Sequence, residues 1–175
     1  MIKKKSLIAV AVSTILLMIG CGYHFGPGNS NTDRSIRTVF VDHFLNNTAE
    51  AYLETYMRKG FMDELLKTHS FRLAPGREEA DAVLKVEIKN LSVYPIAQRS
   101  DNIAAVQRIL VVLDIALEDV KTKKTIWNDR NFSGTSDYNV DAVHLQATDT
   151  ARKNALITLS KDTAERAFRM ISSGF

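Results

Sequence analysis

Apolar and polar positions along this chain change period several times, and each change marks an element. Ile36, Val39, Phe40 and Val41 predict a first strand ending near Asp42 and His43. Asn47, with Glu50 three residues on, has the form of a capping box. Tyr52, Leu53, Tyr56, Met57, Phe61, Leu65 and Leu66 then recur at helical spacing as far as about Lys67. Gly60 interrupts that helix at a cost of about 1 kcal/mol relative to Ala, and predicts a close approach of the helix to the sheet. Phe71-Arg72-Leu73 is a short extended piece, and Pro75-Gly76 turns the chain.

Ala82, Leu84, Val86 and Ile88 alternate with Val83, Lys85, Glu87 and Lys89, giving a strand with a dry and a wet face. Beyond Asn90 the apolar positions are Leu91 and Val93, so the phase slips by one residue and predicts a bulge. Pro95 closes this strand or places its end on an edge. The longest strand runs from about Ala104 to Asp119. Ile109, Val111, Leu113, Ile115 and Leu117 form one apolar face; Val106, Arg108, Leu110, Val112, Asp114 and Glu118 form a mixed one. Lys121 to Lys124 make a hairpin turn into Ile126, Trp127, Arg130 and Phe132. A last helix spans about Asp141 to Ile171, with a stripe through Ala147, Ala151, Ala155, Leu159, Thr163, Ala167 and Ile171, flanked by Leu156 and Phe168. The order β-α-β-β-β-α predicts an α+β domain with two helices packed on one face of a mixed, mostly antiparallel four-stranded sheet. The first strand-helix-strand passage allows a parallel pair.

The N-terminus follows a different logic. Lys3, Lys4 and Lys5 precede an uncharged run from Ser6 to Ile19, then Gly20 and the single cysteine, Cys21. The run is short of the ~20 apolar residues that span a bilayer, but it suits the core of a secretory signal. Leu17-Met18-Ile19-Gly20-Cys21 resembles a lipobox, which makes Cys21 the expected site of lipidation by diacylglyceryl and N-acyl (palmitate-type) chains. Residues 1–20 are then a signal peptide, 21–34 a lipidated start and tether rich in Gly and Asn, and 35–175 a single domain. Gly22, where Asp would favour retention in the inner membrane, favours the outer membrane and its periplasmic face. An ordinary cleaved signal is the alternative.

That division changes what the composition means. Of the 23 Lys and Arg, three lie in the signal, leaving 20 against 20 Asp and Glu. The apparent basicity vanishes, and nothing global points to nucleic acid. With Cys21 lipidated, no thiol remains for a disulfide or a nucleophile. His24, His43, His69 and His144 share no ligand-like spacing, so neither a metal site nor a cofactor is expected. No G-x-S-x-G elbow is present, and Glu78-Glu79 sits in a turn. The chain is not expected to be an enzyme.

Cys21-Gly22-Tyr23-His24-Phe25 resembles the mature start of the LptE-type lipopolysaccharide-assembly lipoproteins. Phe71-Arg72-Leu73 followed by Glu78-Glu79-Ala80-Asp81-Ala82-Val83-Leu84 resembles that family's turn into its second long strand. Trp127-Asn128-Asp129-Arg130, then Phe132-Ser133-Gly134 and Tyr138, resembles its hairpin return. The similarity spans nearly all of residues 21–175 in element order. It implies an outer-membrane lipoprotein of the lipopolysaccharide translocon, partnering an LptD-like β-barrel that it plugs and helps assemble, and binding lipopolysaccharide (LPS). A lipoprotein that activates or scaffolds another periplasmic envelope-assembly machine is the alternative.

Two features bear on that implication. The mixed face of the Ala104–Asp119 strand is more apolar than a solvated face requires, as for a surface covered by a partner, or for a sheet curled over its own helices. Lys121, Lys123 and Lys124, with Arg130 on the next strand, are the best local basic group for lipid A phosphates. Their alternative is a solvated tip that discourages edge pairing.

Overall fold

A computed structural model describes residues 36–98 and 104–173. Contacts divide the chain into Met1–Asn31 and Thr32–Phe175, and the described residues belong to the second unit. The signal peptide, Cys21 and the tether lie outside the described residues.

Strand β1 is Thr38–Val41, β2 is Leu45–Asn46, and helix α1 is Leu53–Lys67. They are followed by β3 (Arg72–Leu73), a 3-10 turn (Arg77–Glu79), β4 (Ala82–Gln98), β5 (Ala104–Asp119), β6 (Thr125–Asn139) and helix α2 (Leu145–Ser173). The sheet has the order β3-β1-β4-β5-β6, with β2 also pairing with β4. The α+β class and the two helices agree with expectation, but the sheet has six strands rather than four. Nor is it mostly antiparallel: three of its five pairings, β1 with β3, β1 with β4 and β2 with β4, are parallel. The antiparallel pairings are the two long ones, β4 with β5 and β5 with β6. The two extra strands are pairs of residues, too short to show a period of two.

The expected β1-α1-β4 passage does pair in parallel, Val39 opposite Ala82. The phase slip at Asn90 is a register shift between Ile88 and Asn90, and the strand runs on through Pro95 to Gln98. Beyond Ile88 no described strand flanks β4 on the side away from β5, so Pro95 sits on an open edge, where its missing N–H costs no ladder bond on that side.

Two expectations about helix starts are corrected. No capping box forms at Asn47 and Glu50. Tyr52 is the N-cap, in the left-handed region at φ 64° with no side-chain cap. Asn47 Nδ2 instead donates to Glu87 Oε1 at 2.6 Å, and Glu50 accepts a bidentate pair from Arg152. Helix α2 begins at Leu145, because the Asp141 carboxylate accepts from the N–H groups of Val143 and His144 and holds a turn there. Ala147, expected on the buried stripe, is exposed; burial begins fully at Ala155.

Both helices cover one face. Leu53, Met57, Phe61 and Leu65 of α1 join Leu156, Leu159, Ala167, Phe168 and Ile171 of α2 in one core with Leu84, Val86 and Ile88 of β4 and the odd-numbered Ile109 to Leu117 of β5. Phe61 packs against Phe44 and Phe168, at ring-centroid distances of 5.3 and 5.9 Å. Gly60 marks a close approach, but to the other helix rather than to the sheet: a Cβ there would stand 2.8 Å from the Ser160 carbonyl oxygen. Gly134 of β6 is the place where α2 meets the sheet that closely, against Thr163.

Candidate functional site

Asp119 builds the lysine hairpin. Its N–H donates to the Lys124 carbonyl at 2.9 Å, and its own carbonyl accepts from Lys123 N–H at 3.0 Å. Its carboxylate accepts from Thr122 N–H at 2.6 Å. That bond, first among the causes, holds the Asp119 carboxyl below the ordinary carboxylate range. Lys123 takes the left-handed conformation at φ 58°, which closes the turn.

All three lysines are exposed, but they differ in their surroundings. The Lys121 charge acts on the carboxylates of Asp81 and Asp119, lowering both. None of the three has an ion-pair partner within 4 Å among the described residues. Arg130 is not brought to them. It lies six residues past Lys124, about 20 Å along the strand at ~3.3 Å per residue, where the β5–β6 register shifts opposite Asp114. Lys89 Nζ donates to the Arg130 carbonyl at 3.3 Å, which ties that irregular stretch to β4. The expected basic group is therefore a three-lysine loop, with Arg130 apart from it.

Asp81 joins this loop to the start of the domain. Its carboxylate accepts from Arg37 N–H, Thr38 N–H and the Thr38 hydroxyl, each at 2.9 Å. Its carbonyl accepts from Val120 N–H at 2.9 Å. Residue 37 and residue 120 thus meet on one aspartate.

The second feature is the sheet face turned away from the helices. Its central row is Val106, Arg108, Leu110, Val112, Asp114 and Ala116 of β5, all half-buried. Registers place Tyr94, Arg108 and Asp137 across the sheet in one line, then Ser92, Leu110 and Thr135, then Asn90, Val112 and Ser133. Arg108 forms a bidentate pair with Asp137, at 2.6 and 2.7 Å, and Lys85 pairs with Glu118 at 2.6 Å. The alternation along β5 was readable in the sequence. The Tyr94-Arg108-Asp137 line was not, because it needs the register of three strands.

Among the described residues, no group of three or more His, Cys, Asp or Glu could hold a metal ion. No described helix is long and apolar enough to cross a membrane.

Among the described residues, a mixed sheet covered on one face by two helices, with a projecting lysine turn, defines a class of small α+β domain. The particular assignment comes from sequence. The chain belongs to the LptE lipopolysaccharide-assembly family, whose model matches residues 36–171. Solved structures of similar fold include uncharacterized lipoprotein B from Nitrosomonas europaea, 8% identical, with a TM-score of 0.53 over 79% of this chain and 83% of that one. Rare lipoprotein B from Shewanella oneidensis is 11% identical, with a TM-score of 0.49 over 78% of this chain and 95% of that one. A search of curated proteins gave no match.

Proposed function

We propose that this chain is a non-catalytic, lipid-anchored subunit of the outer-membrane machinery that delivers LPS to the cell surface, acting with an LptD-like β-barrel. The observation that carries this reading is the family match, which spans the described domain almost from end to end. Cys21 is the proposed lipidation site. Diacylglyceryl and N-acyl chains there hold the protein firmly, since each buried methylene contributes about 0.8 kcal/mol. The tether to the domain, Gly22 to Asp33, is too short to carry the domain across the periplasm, and keeps it beside the membrane. Lys121, Lys123 and Lys124 are the proposed contacts for lipid A phosphates, as compact point charges on one exposed turn.

The test is purification of the full-length protein from detergent-solubilised membranes, together with its depletion from cells. Co-purification of a large β-barrel, and loss of barrel folding and surface LPS on depletion, is the expected outcome. Normal barrel assembly and normal surface LPS in depleted cells would end the reading. Metabolic labelling with a palmitate analogue should tag the wild type and leave Cys21→Ala unlabelled; a labelled Cys21→Ala protein would remove Cys21 from its role.

A further inference from the structure

We infer that one end of the sheet docks on the anionic phospholipid surface of the leaflet that holds the anchor. The docking groups are Arg37, Arg72 and the hairpin lysines Lys121, Lys123 and Lys124. The inference rests on the proposed lipidation of Cys21, and adds which end of the domain meets the membrane and through what chemistry.

The first argument is where the strands begin and end. Thr38 pairs with Arg72, Val39 with Ala82, Ala82 with Asp119, and Glu118 with Thr125. Strands β3, β1, β4 and β6 therefore all start at this end of the sheet, and β5 finishes there. Five strands at ~4.8 Å spacing make a strip about 19 Å wide. Arg72 stands at one margin, with its N–H donating to the Arg37 carbonyl at 2.8 Å, and the hairpin stands at the other. All five cationic residues are exposed, and none has an ion-pair partner within 4 Å among the described residues.

The second argument is charge complementarity. Asp81 and Asp119 also lie at this end, but their carboxylates are turned to backbone N–H groups, of Arg37 and Thr38 in one case and Thr122 in the other. Glu118 is paired with Lys85. The exposed carboxylates nearby are Glu78 and Glu79, on the 3-10 turn before β4. The exposed groups of this end are thus mainly cationic, although the chain from Cys21 onward carries 20 basic and 20 acidic residues. Such a separated patch is attracted to an anionic leaflet once it lies within a Debye length, ~8 Å at physiological salt.

The third argument is the length of chain before the described domain and where it ends. Cys21 lies fifteen residues before Ile36. A Gly-rich chain of that length spans about 20 Å on average, whereas the 16 residues of β5 reach ~53 Å. Asp81 fixes the entry point to the hairpin, its carboxylate holding Arg37 and Thr38 while its carbonyl accepts from Val120 N–H at 2.9 Å. The anchor therefore brings the cationic strip to the leaflet, and the cations set the orientation of the domain there. The hairpin lysines meet phospholipid phosphates first, and lipid A phosphates compete for the same groups.

Fluorescence quenching in reconstituted vesicles tests this. The full-length lipoprotein is placed in LPS-free vesicles of phosphatidylcholine, with or without ~30% phosphatidylglycerol, that contain a lipid with a quencher on its headgroup. A fluorophore is attached through Thr125→Cys, beside the hairpin, or Val143→Cys, four residues past the far end of β6; both positions are exposed, and a lipidated Cys21 leaves no competing thiol. In anionic vesicles the label at 125 should be quenched at least ~5-fold more than the label at 143. That quenching should fall at least ~3-fold in neutral vesicles. It should fall as much in 1 M salt, where the Debye length is ~3 Å, and on changing Lys121, Lys123 and Lys124 together to Ser with unchanged thermal unfolding. Equal quenching at the two positions, or quenching at 125 that ignores anionic lipid, salt and the lysines, would overturn the docking. Quenching that appears only when LPS is added would overturn it too, leaving the lysines to lipid A alone. The intact mass of the same sample keeps the two readings apart. A lipid-bearing Cys21 with no dependence on anionic lipid ends the docking and leaves the anchor, whereas a Cys21 without lipid ends both.

Discussion

Gly60 on α1 lies against the backbone of Ser160 on α2, so that a Cβ at Gly60 would stand 2.8 Å from the Ser160 carbonyl oxygen and 2.9 Å from its carbon. The obstacle is main chain rather than a flexible side-chain end, and neither helix yields without moving the core residues beneath it. Gly60→Ala gains about 1 kcal/mol of helix propensity but forces a shift of the kind that costs ~1–3 kcal/mol. The net outcome is a less stable protein, read as a lower urea midpoint. A midpoint at or above wild type would mean that the two helices separate at little cost.

Thr163 is 1% exposed, and its hydroxyl has no hydrogen-bond partner. It faces Gly134 of β6, where any added Cβ would overlap the Thr163 oxygen. An unpaired buried hydroxyl costs ~1–3 kcal/mol, so Thr163→Val, which keeps the shape and removes the polarity, should raise the unfolding midpoint. Gly134→Ala should lower it. Combining Gly134→Ala with Thr163→Ala should recover much of that loss, because the overlapping atom is gone and contacting pairs couple in this way. Strict additivity of the two changes would contradict the contact.

How much of this was legible in the sequence follows from range. The three long strands and both helices declare themselves through local periodicity, and the bulge at Asn90 through a slip in that periodicity. The Asn47–Glu50 capping box was misread because a local pattern competed with partners far away in sequence. Asn47 is taken by Glu87, and Glu50 by Arg152 across 102 positions. The role of Gly60 was half legible: a glycine in a helix announces close approach, but nothing local says whether a helix or a sheet is approaching. For the basic group, adjacency within the hairpin kept Lys121 to Lys124 together. Arg130 looked near in sequence, yet the strand geometry carries it about 20 Å away.

Asp81 predicts how stability depends on pH. Its carboxyl is held below the ordinary range first by the Arg37 N–H; burial opposes this as the next largest effect, and the Thr38 N–H and hydroxyl and the Lys121 charge add further lowering. A carboxyl whose folded pKa is depressed contributes stability above its unfolded value of about 3.9, and that contribution disappears as pH falls through the folded value. Asp81→Asn should therefore be less stable than wild type at neutral pH, and the gap should narrow towards pH 2–3. Paired urea titrations measure it; a gap that stays constant would assign the loss to something other than the charge.

Lys123 allows stability and binding to be pulled apart. Its left-handed conformation, φ 58°, costs a residue with a Cβ about 1–2 kcal/mol, and glycine adopts it freely. Lys123→Gly should thus tighten the hairpin and raise the urea midpoint by an amount worth ~0.5–1 kcal/mol, after the entropy that glycine loses on folding. The same change removes one of the three exposed lysines of the loop, so LPS binding should fall several-fold if the loop holds the phosphates. Ordinary damage cannot mimic that result, because a variant that is more stable yet binds less has lost a ligand contact rather than its fold. Arg130→Ser should leave LPS binding unchanged, since Arg130 stands apart from the loop. Co-sedimentation with LPS of the wild type, Lys123→Gly and Arg130→Ser compares them directly. Unaltered binding by Lys123→Gly, with loss in Arg130→Ser, would move the phosphate site from the hairpin to the irregular stretch of β6.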